Sequence, residues 1–397
     1  MEGADGAGAV VISRDSRARV LTALAHREAD RVPFDLGASR SSGIHVAAYR
    51  SLRTALALPP VQTELPDFSQ QLARVDRDVL DRLGIDAKGV FPRPGSAYER
   101  MLTDDGQYLS FRDEFGIGRR MPKDGGLYFD AYAHPLAGDI DETDVERFAW
   151  PDPHDSARYA GMADEARRIV EEEGRAVYVV PICTGLTEVY FRLRGFEDGY
   201  MDLAANPDLA ARIMDHILEL KLAYWERVLA ELGEWIDLAG ESEDLGGQDG
   251  LLFSPAIYRR LVKPRQAELF GLIHARSRAR VFLHSCGAIR DLIPDLIEVG
   301  VDVLNPVQVS AAGMDSAGLK REFGADLTFW GGGVDTQRVL GSGTPGEVRD
   351  EVRRRIEDLK PGGGFVFATV HNVQPNVPAE NLLAMWEALR EFGVYGE

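Results

Sequence analysis

Two hydrophobic periods alternate along the chain. Short apolar runs of strand character recur at Ala176–Ile182, Trp235–Ala239, Arg280–His284, Asp302–Leu304, Leu327–Trp330 and Phe365–Val370. Between them, helical spacing predicts helices over Pro207–Leu232, Ser254–Ala275, Arg290–Val299 and Pro345–Leu359. Strand followed by helix, repeated, predicts parallel strands covered by helices. Nearer the N-terminus, Val32–Leu36 and a segment near Gly84–Phe91 add two strands, so the count reaches that of an eight-stranded barrel. Helices are expected at Ser16–His26 and at Val46–Leu58, the second ended by Pro59 and Pro60. No Gly-rich phosphate turn of the dinucleotide-binding kind follows any strand. A (β/α)8 TIM barrel is therefore expected in preference to an open doubly wound sheet.

The stretch Tyr108–Ala133 breaks this rhythm. YLSFRDEFGIGRR and GLYFDAYAHP alternate apolar and polar residues around a Gly-rich turn, which is the pattern of an antiparallel hairpin. The expected organisation is a leader over residues 1–15, then one barrel over 16–397 with N-terminal helical and β-hairpin decoration. The hairpin belongs to an excursion over residues 92–150, closed by Trp150-Pro-Asp-Pro.

Charge and cysteine usage narrow the function classes. Lys plus Arg number 45 against 64 Asp plus Glu, a net charge of −19 that argues against phosphate-backbone binding and hence nucleic acid. A hydrophobic share of 45% over 397 residues fits a soluble enzyme with a large core. Cys183 and Cys286 are the only cysteines, which excludes a disulfide framework and points to a reducing compartment. No apolar run approaches the roughly 18 residues of a membrane span. The acidic N-terminal segment lacks the basic-then-apolar order of a secretory signal. A cytoplasmic location is expected.

In parallel barrels the reacting groups stand at the C-terminal ends of the strands. Those ends supply Cys183-Thr184, Glu241-Ser-Glu243-Asp244, His284-Ser-Cys286-Gly, Asn305-Pro-Val-Gln308, Gly331-Gly-Gly-Val-Asp335 and His371-Asn372. Side chains alternate along a strand, so His284 and Cys286 leave on one face. Imidazole and thiolate suit Zn²⁺, and His371 at a later strand end would complete three protein ligands with one open position. Cys183 is the rival third ligand. The bland alternative is that His284 and Cys286 simply pack, since cysteine is among the most buried residue types.

Several segments in order carry a resemblance: DRVPFDLG (Asp30–Gly37), YLSFRDEFGIGRR, EDLGGQDGLLFSP (Glu243–Pro255), FLHSCG, DVLNPVQ, FWGGGVDTQ and VHNVQPNVPAENLLAM. From Ser16 onward the chain resembles the uroporphyrinogen decarboxylase superfamily, in particular its corrinoid-dependent methyltransferase branch. The resemblance implies a zinc site at His284 and Cys286. The branch's downstream cysteine ligand falls here on His371, a departure that exchanges an anionic ligand for a neutral one and leaves a stronger Lewis acid. It further implies methyl transfer between a corrinoid (methylcobamide) on a separate carrier protein and a small thiol or oxygen-bearing substrate, and a homodimer. Glu243 and Asp244 match a paired acidic position, as a further metal ligand, a general acid and base, or helix caps. Gln248, Asn305, Gln308, Asp335 and Asn372 are expected to contact the cofactor, Asp335 with an equally weighted reading as a helix cap. Asp35 either binds substrate or caps a turn. The alternative function is a cofactor-free decarboxylase of a carboxylated ring compound. The strand end DLGASRSSGIH offers one arginine, Arg40, where a clamp for several carboxylates needs more. A non-catalytic binding protein on a barrel is the third class.

Overall fold

Strand by strand, the chain builds β1 (Ala87–Val90), β2 (Thr103–Asp104), β3 (Tyr108–Arg112), β4 (Gly118–Pro122), β5 (Asp130–Ala133), β6 (Ala176–Val179), β7 (Leu238–Ser242), β8 (Arg280–His284), β9 (Val303–Asn305), β10 (Thr328–Trp330) and β11 (Phe365–Val366). The structure is a computed structural model describing residues 16–396, so the expected leader at 1–15 lies outside the described residues. Strands β1 and β6–β11 form one parallel sheet, each hydrogen-bonded to the next in chain order. The predicted first strand closes it. Phe34 pairs in parallel with Phe367, the Asp35 N–H donates to Phe367 O at 2.9 Å, and the Asp86 N–H donates to Phe34 O at 2.8 Å. Val32–Leu36 is thus the eighth stave, lying between the last strand and the first.

Most predicted helices appear as read, Pro207–Leu232 and Pro345–Leu359 to the residue. One strand is shifted. The run expected at Trp235–Ala239 begins with a 3-10 turn at Gly233–Trp235, and the strand runs Leu238–Ser242. Glu241 therefore lies within the strand and faces outward. There its buried carboxylate accepts from Lys221 Nζ at 2.6 Å and Trp225 Nε1 at 2.7 Å, both on the helix Pro207–Leu232. It fastens that helix to the wall and is not a mouth residue.

The barrel interior is filled by Tyr178, Leu238, Phe282, Val303, Trp330 and Val366. Edge-to-face contacts order its rings, Tyr178 against Phe282 at 4.9 Å and Phe282 against Trp330 at 5.7 Å. Gly240 leaves the room for Tyr178, because a Cβ there would lie 2.1 Å from the tyrosine oxygen. Val20, Ala23 and Leu24 of the helix Ser16–Leu24 plug the base. Arg19 of that helix reaches Asp86 at 2.6 Å, and Asp86 also holds the Phe34 N–H.

The excursion is richer than one hairpin. It forms a four-stranded antiparallel sheet, β2-β3-β4-β5, because Thr103–Asp104 and Asp130–Ala133 pair onto its two edges. Phe68, Phe111 and Phe129 pack beneath it with ring centroids 5.1–5.7 Å apart. His45 ties it to the barrel, capping the helix Val46–Ala55 through Nδ1 and bonding Leu127 O through Nε2 at 3.0 Å.

Candidate metal centre and the cavity beside it

Parallel register sets Ser242 on β7, His284 on β8 and Asn305 on β9 side by side. His284 is buried, and its Nδ1 lies 2.5 Å from Asn305 Oδ1. The Asn305 amide donates from Nδ2 to Trp330 O at 2.7 Å, which makes Oδ1 an acceptor. His284 Nδ1 must then carry the proton, and Nε2 presents a lone pair toward Cys286 Sγ, 3.3 Å away. Gly287, with φ +89°, turns the chain immediately after the cysteine where its backbone passes Gly246. A Cβ at this position would meet Gly246 at 2.3 Å.

His371 follows the stave that continues β11 and turns its ring to His284 at a centroid distance of 5.5 Å. Ligand atoms of His284, Cys286 and His371 all lie within 4.8 Å of one another. A tetrahedral Zn²⁺ with bonds of about 2.0–2.3 Å sets its ligand atoms about 3.3–3.8 Å apart, so small ring rotations close the difference. Burial pushes His371 down to about 3, which keeps its imidazole neutral, the form that ligates. Burial and the carboxylates Asp244 and Glu188 push the Cys286 thiol up, so it is a protonated thiol until a cation offsets those charges. The donor set and the fixed tautomer fit Zn²⁺. Cys183 is buried elsewhere, its thiol pushed up to about 11 by burial, and does not join the cluster.

Of the paired acids, only Asp244 faces the cluster. Its Oδ1 accepts the Cys286 N–H at 2.9 Å and lies 3.8 Å from His284 Nε2. Burial and the nearby Glu188 raise its carboxyl. Glu243 is turned away and accepts from the backbone of Leu186 and Thr187 at 2.9 and 2.8 Å, and from the Thr187 hydroxyl. It thus holds the N-terminus of the helix Leu186–Arg194. Burial pushes it up to about 7.

The expected cofactor contacts are mostly fasteners. Asn305 orients His284, and Gln308 accepts the Gly287 N–H at 2.7 Å. Asp335 caps its own turn at Gln337 and Arg338, and Asn372 binds Gly43 N, Arg40 O and Gln70. Gln248 alone is exposed, at the rim, bonded to Gln337 at 3.0 Å. Asp35 caps the turn at Ala38 and accepts from Trp330 Nε1 at 2.8 Å inside the barrel.

Beside the cluster, with Asp244 and Cys183 on its wall, a cavity of about 770 Å³ opens between the barrel mouth and the antiparallel sheet. Arg40 is the one arginine that the strand end offers, and Arg93, Arg100, Arg119, Arg158 and Arg192 join it on the cavity wall. They come from loops, β4 and a helix far apart in sequence, which is why inspection of one strand end could not find them. Glu188 was also missed. It bonds Ser242 Oγ at 2.8 Å and Arg192 at 3.1 Å, and these partners outweigh burial and keep its carboxyl low. Its sequence signal was only its place in the first turn of a helix after Gly185.

Comparisons with known proteins agree with this architecture. Residues 111–392 match the family model of uroporphyrinogen decarboxylase (URO-D). The chain is 25% identical over 383 residues to a uroporphyrinogen decarboxylase of Alkalilimnicola ehrlichii, covering 94% of this chain and 93% of that one. It is 24% identical over 287 residues to one from Thermus thermophilus, covering 68% and 80%. A solved methyltransferase from Methanosarcina mazei shares the fold with a TM-score of 0.63 at 19% identity, over 95% of this chain and 98% of the other.

Proposed function

The chain belongs to the uroporphyrinogen decarboxylase family, and from that premise we propose that it is a zinc-dependent methyltransferase. It moves a methyl group between a corrinoid on a separate carrier protein, docked at the barrel mouth, and a small thiol or oxygen-bearing substrate. The observation that carries this reading is the convergence of His284, Cys286 and His371 at the mouth. The corrinoid half rests on the segment resemblance described above.

His284, Cys286 and His371 would hold the metal, with Asn305 fixing the tautomer of His284. Zn²⁺ bound there supplies Lewis acidity toward a substrate sulfur or oxygen. Two neutral imidazoles and one thiolate would leave a bound Zn²⁺ with a net positive charge, which would suit an anionic substrate group. Asp244, on the cavity wall and beside His284, takes the proton that a substrate thiol or hydroxyl gives up, and its raised carboxyl makes it the better base. Glu243 positions the helix that carries Glu188 and Arg192. Gln248, at the rim, is the side chain left to meet a docked cofactor.

Zinc content of protein purified without chelator, followed by methyl transfer from methylcobalamin to a thiol, tests the reading. About one zinc per chain with transfer that a chelator abolishes is the expected result. No zinc after anaerobic reconstitution sinks it. A second reading, decarboxylation of a carboxylated compound without metal, is favoured by the arginines of the cavity wall and by the names of the curated relatives. Release of CO₂ from a carboxylated substrate by chelator-treated protein would select it.

A further inference from the structure

The helix Leu186–Arg194 brings one more carboxylate, Glu188, to the barrel mouth. Glu188 Oε2 accepts from Ser242 Oγ at 2.8 Å and from the Gly185 N–H at 3.1 Å, and Arg192 donates to Oε1 at 3.1 Å. Ser242 is the in-register partner of His284 on the next parallel strand. Such partners project to the same side of a sheet from strands about 4.8 Å apart, so a carboxylate bonded to Ser242 is a near neighbour of the His284 ring. The other two members of the cluster feel it as well. Burial pushes His371 down and the charge of Glu188 acts against it, while burial, Asp244 and Glu188 together push the Cys286 thiol up. Only 12% of the Glu188 side chain is exposed, so water and salt screen it little.

This charge answers a deficit in the ligand set. Zn²⁺ entering between His284, Cys286 and His371 displaces one thiol proton, so it adds one positive charge to the mouth. With cysteine in place of His371, two protons would leave and no charge would be added. Asp244 is a nearby carboxylate, 3.8 Å from His284 Nε2, but as the base it loses its charge when it takes the substrate proton. Lys221 and Glu241 neutralise each other, and Glu243 is turned to the backbone at Leu186 and Thr187. Glu188 stays ionised, because Arg192, Ser242 and the Gly185 N–H outweigh its burial.

We propose that Glu188 is the fixed counter-charge of the metal centre, supplying through space the negative charge that a second cysteine ligand would supply by direct contact, with Arg192 tempering it. In this role Glu188 touches neither metal nor substrate and acts through the ligands as a positioning residue. The proposal deepens the zinc reading and rests on it. The bland alternative is that Glu188 only caps its helix through the Gly185 N–H.

The test measures zinc affinity against a competing chelator, on full-length protein, with melting curves as the check on folding. Glu188→Gln keeps the shape and an acceptor for Ser242 and Gly185, and should weaken zinc by at least about tenfold. Arg192→Gln removes the opposing charge and should tighten zinc, by about three- to tenfold. In a His371→Cys background, where binding adds no charge, Glu188→Gln should change affinity by less than about threefold. A helix cap alone predicts the same loss in both backgrounds, and a purely structural ion pair predicts weaker zinc in Arg192→Gln. Either result overturns the proposal, as does unaltered affinity in Glu188→Gln. Should His371→Cys fail to fold, the opposite signs of the Glu188 and Arg192 variants decide. If the signs and the coupling appear but the protein transfers no methyl from methylcobalamin to a thiol, the methyl-transfer reading falls and the counter-charge stands. If wild type binds zinc and transfers methyl while Glu188→Gln binds zinc equally well, the counter-charge falls and the reading stands. Absence of zinc from wild type removes both.

Discussion

On one side of the barrel mouth His284, Cys286 and His371 stand at strand ends, backed by Asn305 and the carbonyl of Trp330. On the other side Arg40, Arg100, Arg119 and the phenylalanines come from a strand-end loop, an antiparallel sheet and the segments leading to it. The first group is set by the register of neighbouring parallel strands, which leaves little freedom. The second depends on a decoration whose own core is a three-ring cluster, with one imidazole, His45, bridging to the barrel. Chemistry that needs a fixed geometry within a fraction of an ångström is expected on the rigid side. Recognition of a substrate's outer parts is expected on the side that can vary.

The sharpest way to break this contrast is at the ligands. Cys286→Ala should lower zinc affinity by about a thousandfold or more and abolish transfer, while the far-ultraviolet spectrum stays unchanged, because so large a core does not depend on a catalytic metal. Metal titration with a competing chelator measures it, and unaltered affinity would remove the site.

Next in size, Phe111→Ala should cost about 3–4 kcal/mol within the decoration. Amide exchange should quicken across β3–β5 (Tyr108–Ala133) while zinc binding holds. Loss of zinc in this variant would show that the two sides are one cooperative unit.

Asp35, inside the barrel, adds a pH dependence. Burial pushes its carboxyl from 3.8 up to about 6. The unfolded chain therefore loses this proton first as pH rises, and stability falls between about pH 4 and pH 6, by on the order of 3 kcal/mol. Below that window both states are protonated and no penalty exists. Denaturant midpoints at pH 4 and pH 7 should converge in Asp35→Asn, and an unchanged gap would assign the dependence to other groups.

The smallest effect concerns the shell behind the ligands. Asn305→Ala should weaken zinc about 10- to 100-fold by freeing the His284 ring, with an intact fold. Equal affinity would mean that strand register alone orients the imidazole.

Much of the barrel was legible in advance, including seven of its strand positions and the antiparallel excursion. So was the His284–Cys286 pair, because both patterns are periodic over a few residues. Glu243 illustrates the limit. Its cap reading was open in the sequence, yet the helix it caps, Leu186–Arg194, lies far upstream and becomes a neighbour only through β6–β7 pairing. Gln308, Asp335 and Asn372 read as polar strand-end residues, and the closed mouth turned them into fasteners.

By itself the sequence determined the alternation of strand and helix and the shared face of His284 and Cys286. Side-chain period is a local property of the backbone and needs no knowledge of neighbours. Tertiary structure decided the rest: the closure of the barrel by Phe34 against Phe367, His371 rather than Cys183 beside the pair, and the gathering of arginines from distant segments on one cavity wall. Each of these joins residues distant in the chain, and which ones meet depends on stave order, register and the way the decoration packs over the mouth.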